Sequence, residues 1–285
     1  MTTPLISVMM PFRNSGATFA AAVQSIAKQT YENWELLLCD DGSSDHSLAL
    51  AQSLRDPRVV VWSDGKRLCL AARLNQCIDR ARGEYIARMD SDDLSYPDRL
   101  RRQLEFLQQN PEVDLVGCRM VIFTEDGTPI GKRRLPVEHS QIAANPSLGF
   151  GIAHPTWMAR TSWFRSYRYD ANAVRYEDVE LLYRAHQASR FANIPEVLYA
   201  YRETRGGFHK RLTTRIGRVR HLRAVGRQRL GGMFYKAALA ESIKAALDAA
   251  VTFSSARYWM LQLREEPLTM RDQTNWDAVV RSLQT

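Results

Sequence analysis

Three acids, Asp90, Asp92 and Asp93, follow directly on the short apolar run Tyr85-Ile86-Ala87-Arg88-Met89. A strand over that run carries Asp90 and Asp92 to the edge of a sheet with both carboxylates on one side, because side chains two apart on an extended chain point the same way. Paired hard oxygens at a strand end suit Mg²⁺ or Mn²⁺. An ion held by only one or two carboxylates keeps open positions that water and substrate phosphates fill, so the cluster points to a nucleotide-diphosphate site. The same residues also describe an acidic turn, with Asp93 or Ser95 capping a segment that starts near Pro97.

Two further polar clusters follow apolar runs in the same way, Pro11-Phe12-Arg13-Asn14 and Asp40-Asp41-Gly42-Ser43-Ser44-Asp45. The elements that must position them alternate in period. Residues 5–10, 34–39, 59–62 and 85–89 read as strands. Phe19, Val23 and Ile26 fall at helical spacing after the turn-like Asn14-Ser15-Gly16, residues 48–54 read as a helix, and Ala71, Leu74, Ile78 and Ala81 give 68–81 an inward face. Strands separated by helices of this length imply an α/β, doubly wound, mainly parallel sheet, which binds ligands at the carboxyl ends of its strands.

At 285 residues, 45% hydrophobic and 25% charged, the chain has the composition of a globular protein with a real core. Cys39, Cys69, Cys77 and Cys118 show no metal or Cys-x-x-Cys spacing and read as reduced residues of a cytoplasmic protein. Residues 1–12 carry no basic leader and read as a buried strand rather than a signal peptide. No run approaches the roughly 20 apolar residues of a membrane span. Nine Lys or Arg and no acid lie between Arg205 and Leu230, so the net charge of +8 belongs to one segment. That break divides the chain into 1–204 and a basic, mainly helical extension, 205–285.

An ordered set of motifs resembles glycosyltransferase family 2, inverting enzymes of GT-A fold: Ser7-Val8-Met9-Met10-Pro11-Phe12-Arg13-Asn14, Ser25-Ile26-Ala27-Lys28-Gln29-Thr30-Tyr31, residues 35–45 and residues 81–93. The set continues through residues 97–118, His154-Pro155-Thr156-Trp157-Met158, Tyr176-Glu177-Asp178-Val179-Glu180-Leu181 and residues 191–202. The resemblance covers about residues 4–204. It implies that Asp41 accepts the uracil N3–H, that Pro11, Arg13 and Asn14 line the uridine, and that Arg73 reaches the nucleotide or its phosphates. It further implies Asp92 as metal ligand, with Asp90 contacting the ribose or reaching the Mn²⁺ or Mg²⁺ through water.

The resemblance also makes Asp178 the base that takes the acceptor proton, with Glu177 and His154 on the acceptor side. His209 is a candidate for the metal or a phosphate. Other readings of these residues stay open: a helix cap for Asp41, an exposed helix position for Arg73, a buried structural role for His154, and first-turn acids complementing the helix dipole for Glu177-Asp178. The Gln-x-x-Arg-Trp motif of processive synthases is absent from the sequence. The implied activity is therefore transfer of one hexosyl or acetylhexosaminyl unit from a nucleotide-sugar to a glycan or lipid-linked acceptor in lipopolysaccharide or exopolysaccharide assembly.

In the extension, Phe208, Leu212, Ile216, Val219 and Leu222 repeat at three or four residues with arginines between them. This basic amphipathic pattern suits an anionic membrane surface, or packing on the catalytic domain with solvated arginines. A nucleotidyltransferase would use similar carboxylates but would carry a Gly-rich phosphate loop after the first strand, and residues 11–16 are not one. A nucleic-acid-binding protein would explain the arginines and leave the ordered acids unexplained, so no nucleic-acid partner is expected.

Overall fold

The computed structural model describes residues 3–146, 149–203, 214–219, 222, 233–252 and 265–283. The chain begins with β1 (Ile6–Met9), α1 (Phe19–Ala27), β2 (Trp34–Cys39), α2 (Ser47–Ser53), β3 (Val59–Trp62), α3 (Leu70–Arg80) and β4 (Tyr85–Arg88). It continues through β5 (Leu94–Ser95), α4 (Arg99–Gln109), β6 (Leu115–Thr124), β7 (Pro129–Arg133), α5 (His139–Ile142), β8 (Met158–Arg160), α6 (Thr161–Ser166), α7 (Glu177–Ala185) and β9 (Phe191–Glu203). A long helix Met233–Thr252, the short strand β10 (Glu265–Glu266) and a final helix Met270–Ser282 follow.

β3, β2, β1 and β4 lie side by side and parallel, with Ile6 opposite both Trp34 and Tyr85. Their Val-, Leu- and Ile-rich sequences are those of strands buried on both faces. Along β1 and β2 alternate side chains go to opposite layers. Ile6, Val8, Leu36 and Leu38 pack with Phe19 and Ile26 of α1 and Leu100 and Leu104 of α4. Met9, Leu37 and Cys39 pack with Ala71, Leu74 and Ile78 of α3 and Leu181 of α7. Helices thus cover both faces, as in a doubly wound sheet, and the carboxyl ends of β1, β2 and β4 meet at one edge. A parallel bridge between Phe12 and Asp40 carries the β1–β2 pairing out to that edge.

Beyond β4 the sheet turns mixed. β8 pairs with β4 antiparallel, then come β6, β7 and β10. β9 runs parallel to β6, but its register jumps from Cys118 opposite Ile194 to Arg119 opposite Val197. Pro195 and Glu196 are left out of the ladder, where proline's missing N–H costs nothing. The second half of β9 then reaches β5, with Leu94 opposite Ala200.

The described residues after 204 are mainly helical, yet β10 joins the same sheet by pairing with β7. The final helix is held at its start by a capping box between Thr269 and Asp272. It buries Trp276 and Val279 against Leu94, Val121 and Phe123. In the basic segment, Leu222 is buried with Tyr176, Tyr183 and Ala237, so its described part packs inward as the second alternative has it, but Arg215 and Arg218 are held by Glu241 rather than solvated. Among the described residues no helix is long and apolar enough to cross a membrane.

Candidate active site

Asp41 sits just past β2, where Gly42 takes a positive φ of 69° in a turn so close to Lys66 that a Cβ would lie 3.1 Å from its carbonyl. The Asp41 Oδ1 accepts three hydrogen bonds: from the backbone N–H groups of Leu68 at 2.7 Å and Cys69 at 3.2 Å, and from Arg73 Nε at 3.1 Å. Cys69 has φ of 100° at the start of α3, a strained backbone at the point where those N–H groups meet the carboxylate. Asp41 does not cap α2, whose N-cap position is His46; there Asp45 Oδ1 accepts the Ser47 N–H at 3.0 Å in the turn ahead of the helix.

In the acidic loop, Arg88 and Asp90 stand two apart on the extended chain and share a side. Their contact is a two-point ion pair, 2.5 and 2.7 Å. Arg88 is buried, and although burial works against its charge, the Asp90 carboxylate outweighs that and secures the guanidinium as a cation. Asp93 is buried, not a helix cap. Its two oxygens accept from Tyr199 Oη at 2.9 Å and from the Arg202 N–H at 2.8 Å, while Arg202 Nε donates to the Asp92 carbonyl at 2.7 Å. Asp98 takes the N-cap position of α4, and Ser95 lies in β5. Burial, with Asp90 and Asp92 beside it, pushes the Asp93 carboxyl well up.

Carboxylate oxygens of Asp90, Asp92 and Asp93 lie within 4.8 Å of one another. A hard-oxygen set of this kind fits Mg²⁺ or Mn²⁺ with positions left for water and phosphate. Asp93 is held from behind by β9, whereas Asp90 and Asp92 face a cleft of about 590 Å³.

Asp41 and Glu177 line the same cleft, with Arg13, Arg67, Arg88 and Arg175 among them. Glu177 opens α7, next to Arg175 with its positive φ of 63°. Burial, then the neighbouring Asp178, pushes the Glu177 carboxyl up to about 7. Asp178 is half-buried. Burial raises its carboxyl too, against the Val179 N–H, Arg218 and Arg88, which favour its charged form. Both stand in the first turn of α7, and of the two Glu177 lines the cleft while Asp178 is not among its lining residues.

Several expected contacts are relocated. Arg73 is fully buried behind Asp41, its remaining donors spent on Asp64 at 2.7 and 3.1 Å and on Gln76 at 3.0 Å, so it positions the aspartate instead of reaching a nucleotide. Asn14 ties one loop to the next: its Oδ1 accepts the Ser44 N–H at 2.8 Å and its own N–H donates to Ser43 Oγ at 3.1 Å. Pro11 is buried beneath that loop. Of the three only Arg13 lines the cleft. His154 is buried, with Nε2 2.9 Å from Tyr169 Oη and its ring edge-on to Trp157 at 4.6 Å. Burial and then Arg88 hold it neutral, the structural alternative rather than an acceptor contact. His209 lies outside the described residues.

Arg88 and Tyr199 escaped the sequence reading. For Arg88 a signal existed, since the same-side rule that pairs Asp90 with Asp92 extends two residues back.

Residues 7–168 match the family model "Glycosyl transferase family 2", a span that includes the strand ends and the acidic loop. The chain belongs to this family, and it is a glycosyltransferase. It is 38% identical over 219 residues to the putative glycosyltransferase EpsE of Bacillus subtilis, covering 74% of this chain and 77% of that one. It is 31% identical over 147 residues to the UDP-Glc:alpha-D-GlcNAc-diphosphoundecaprenol beta-1,3-glucosyltransferase WfgD of Escherichia coli, covering 51% and 57% of the two chains. Among solved structures, S. aureus TarS 1–349 in complex with UDP-GlcNAc superposes with a TM-score of 0.60 at 16% identity, over 98% of this chain and 80% of that one. The mannosyltransferase PcManGT of Pyrobaculum calidifontis, in complex with GDP-Man and Mn²⁺, gives 0.62 at 17% identity, over 99% and 86%. The fold is GT-A.

Proposed function

We propose that this glycosyltransferase moves one sugar, with inversion, from a UDP-sugar to a hydroxyl of a glycan or lipid-linked acceptor in bacterial surface polysaccharide assembly. The observation that carries the reading is that Asp41, Asp90, Asp92 and Glu177 share one cleft at the carboxyl edge of the parallel strands. Among the described residues the hydrogen bonds to the Asp41 carboxylate fall on Oδ1. Its Oδ2 is then the acceptor for a uracil N3–H, a donor that cytosine lacks. The UDP-GlcNAc held by TarS and the UDP-Glc named for WfgD support the choice of uridine. The diphosphoundecaprenol in the WfgD name supports a lipid-linked acceptor.

Mn²⁺ or Mg²⁺ held by Asp92, with Asp90 beside it, would neutralise charge on the departing diphosphate. Arg88 fixes the orientation of Asp90, and Arg73 that of Asp41. Near neutral pH the Glu177–Asp178 pair is partly protonated, because two adjacent carboxyls titrate as a unit. Glu177, pushed to about 7, retains a proton more readily. Asp178, facing Arg218 and Arg88, is the ionised member and takes the acceptor proton as the hydroxyl attacks the sugar C1. A single in-line displacement of this kind inverts the anomeric centre and needs no covalent intermediate.

The test is sugar transfer from UDP-sugars to a diphospholipid-linked glycan by the wild type and by Asp178→Asn. The variant should keep UDP affinity and lose a factor of about 10² to 10⁴ in kcat. An Asp178→Asn enzyme with wild-type kcat would remove the base assignment.

A further inference from the structure

The basic segment after residue 204 forms part of the cleft. Thr214 lines it. Three residues on, Gly217 comes so near the loop before α7 that a Cβ would lie 3.3 Å from the Val174 carbonyl oxygen. Arg218 then places its guanidinium over the Tyr176 ring, 4.8 Å from the centroid, one residue before Glu177 and two before Asp178. Its Nη1 is held by Glu241 at 2.8 Å. Glu241 is 1% exposed and also binds Arg215 at 3.1 Å and Lys244 at 3.0 Å, so one buried carboxylate on the helix Met233–Thr252 anchors the segment. Leu222, packed with Tyr176, Tyr183 and Ala237, closes the contact.

The Nε and Nη2 of Arg218 are buried without a hydrogen-bond partner. A buried donor left unmet costs about 1–3 kcal/mol, and Arg88, Arg99 and Arg119 each carry one as well. Glu241 holds one end of the guanidinium, and Tyr176 and Tyr183 flank the other.

We propose that Arg218 is a positioning residue for Asp178, a fixed positive charge beside the carboxylate, locked in place by Tyr176 and Glu241. The inference rests on the reading of Asp178 as the base. Charged and titratable groups face Asp178 from each neighbouring element: Glu177 and Tyr176 from its own turn, Tyr169 from the preceding loop, Arg88 from β4, and Arg218. Two of these are cations. Arg88 is paired through two nitrogens with Asp90, on the metal side of the cleft, whereas Arg218 is held by Glu241 through Nη1 and stacks on Tyr176, at the turn that opens α7. Burial drives Asp178 toward its neutral form, and a nearby cation opposes that drift. The extension thereby becomes a working part of the catalytic unit.

The experiment measures kcat against pH, together with UDP affinity, for the full chain carrying Arg218→Met, Arg218→Lys or Arg215→Met. Loss of the cation raises the pH at which Asp178 ionises. The rising limb of the Arg218→Met profile should therefore move alkaline by roughly one unit, lowering kcat about tenfold on that limb and little on the plateau above it, with UDP affinity unchanged. Arg218→Lys should recover most of the shift. Arg215→Met removes the partner of the other Glu241 oxygen and leaves Arg218 with its own, and should leave the profile where it is. An unmoved profile for Arg218→Met, the same shift for Arg215→Met, or a parallel loss of UDP binding would overturn the inference while the function stands. A wild type that binds UDP and transfers no sugar would overturn both.

Discussion

Single side chains at this site are held by partners distant in sequence, and that decides how far each was legible. Asp90 and Asp92 stood out because acids at a strand end are a local pattern, whereas Asp41 and the Glu177–Asp178 pair were singled out by the ordered motifs of the family resemblance. Arg73 was read as a nucleotide contact or an exposed helix position, and its burial was not legible because its partners, Asp41 and Asp64, lie across a loop that no periodicity describes. The Glu177 carboxyl has a consequence for stability. Its folded pKa of about 7 lies above the unfolded 4.5, so folding favours the protonated form. That contribution is complete below about pH 4.5 and is lost as pH rises through about 7, up to roughly 3 kcal/mol in all. Glu177→Gln cannot ionise. In urea titrations its stability relative to wild type should therefore be greater at pH 8 than at pH 5 by about 2–3 kcal/mol. An equal difference at the two values would show that Glu177 is not held proton-bearing in the fold.

At the scale of elements, β1 to β4 and the helices between them were legible almost to the residue, because each is a short apolar run or a clear helical stripe. β9 was visible as a motif and hidden as a device. Its extruded Pro195-Glu196 step redirects the second half of the strand toward β5, and only then does Tyr199 reach the acidic loop. Tyr199 Oη accepts the Asp90 N–H at 3.2 Å and donates to Asp93, so one hydroxyl sets the shape of the loop from behind. Partners of this kind typically carry a factor of 10 to 100 in metal affinity. Tyr199→Phe should need about tenfold more Mn²⁺ to support UDP binding while keeping its circular dichroism. Unchanged Mn²⁺ dependence would mean that β9 is a scaffold without influence on the site.

For the whole molecule, the charge break near residue 204 was legible from composition, but where the following residues go was not. Their destination is set by Glu241, by Tyr176 and by the apolar patch that receives Trp276. These are long-range partners that a local pattern does not reveal. Trp276 packs 4.9 Å from Phe123 and is buried, so Trp276→Ala should cost about 3–5 kcal/mol in a denaturant melt. A loss near zero would mean that the last helix is not part of the folded unit. The account's central claim is that these elements converge on one metal-assisted uridine-diphosphate site, and calorimetric titration of the full chain with UDP tests it most directly. The titration is run with and without Mn²⁺, with GDP and ADP as controls, and is repeated on Asp92→Ala. The expected result is UDP-selective binding that requires Mn²⁺ and disappears in Asp92→Ala. Tighter binding of GDP or ADP, or UDP binding indifferent to both Mn²⁺ and Asp92, would contradict it.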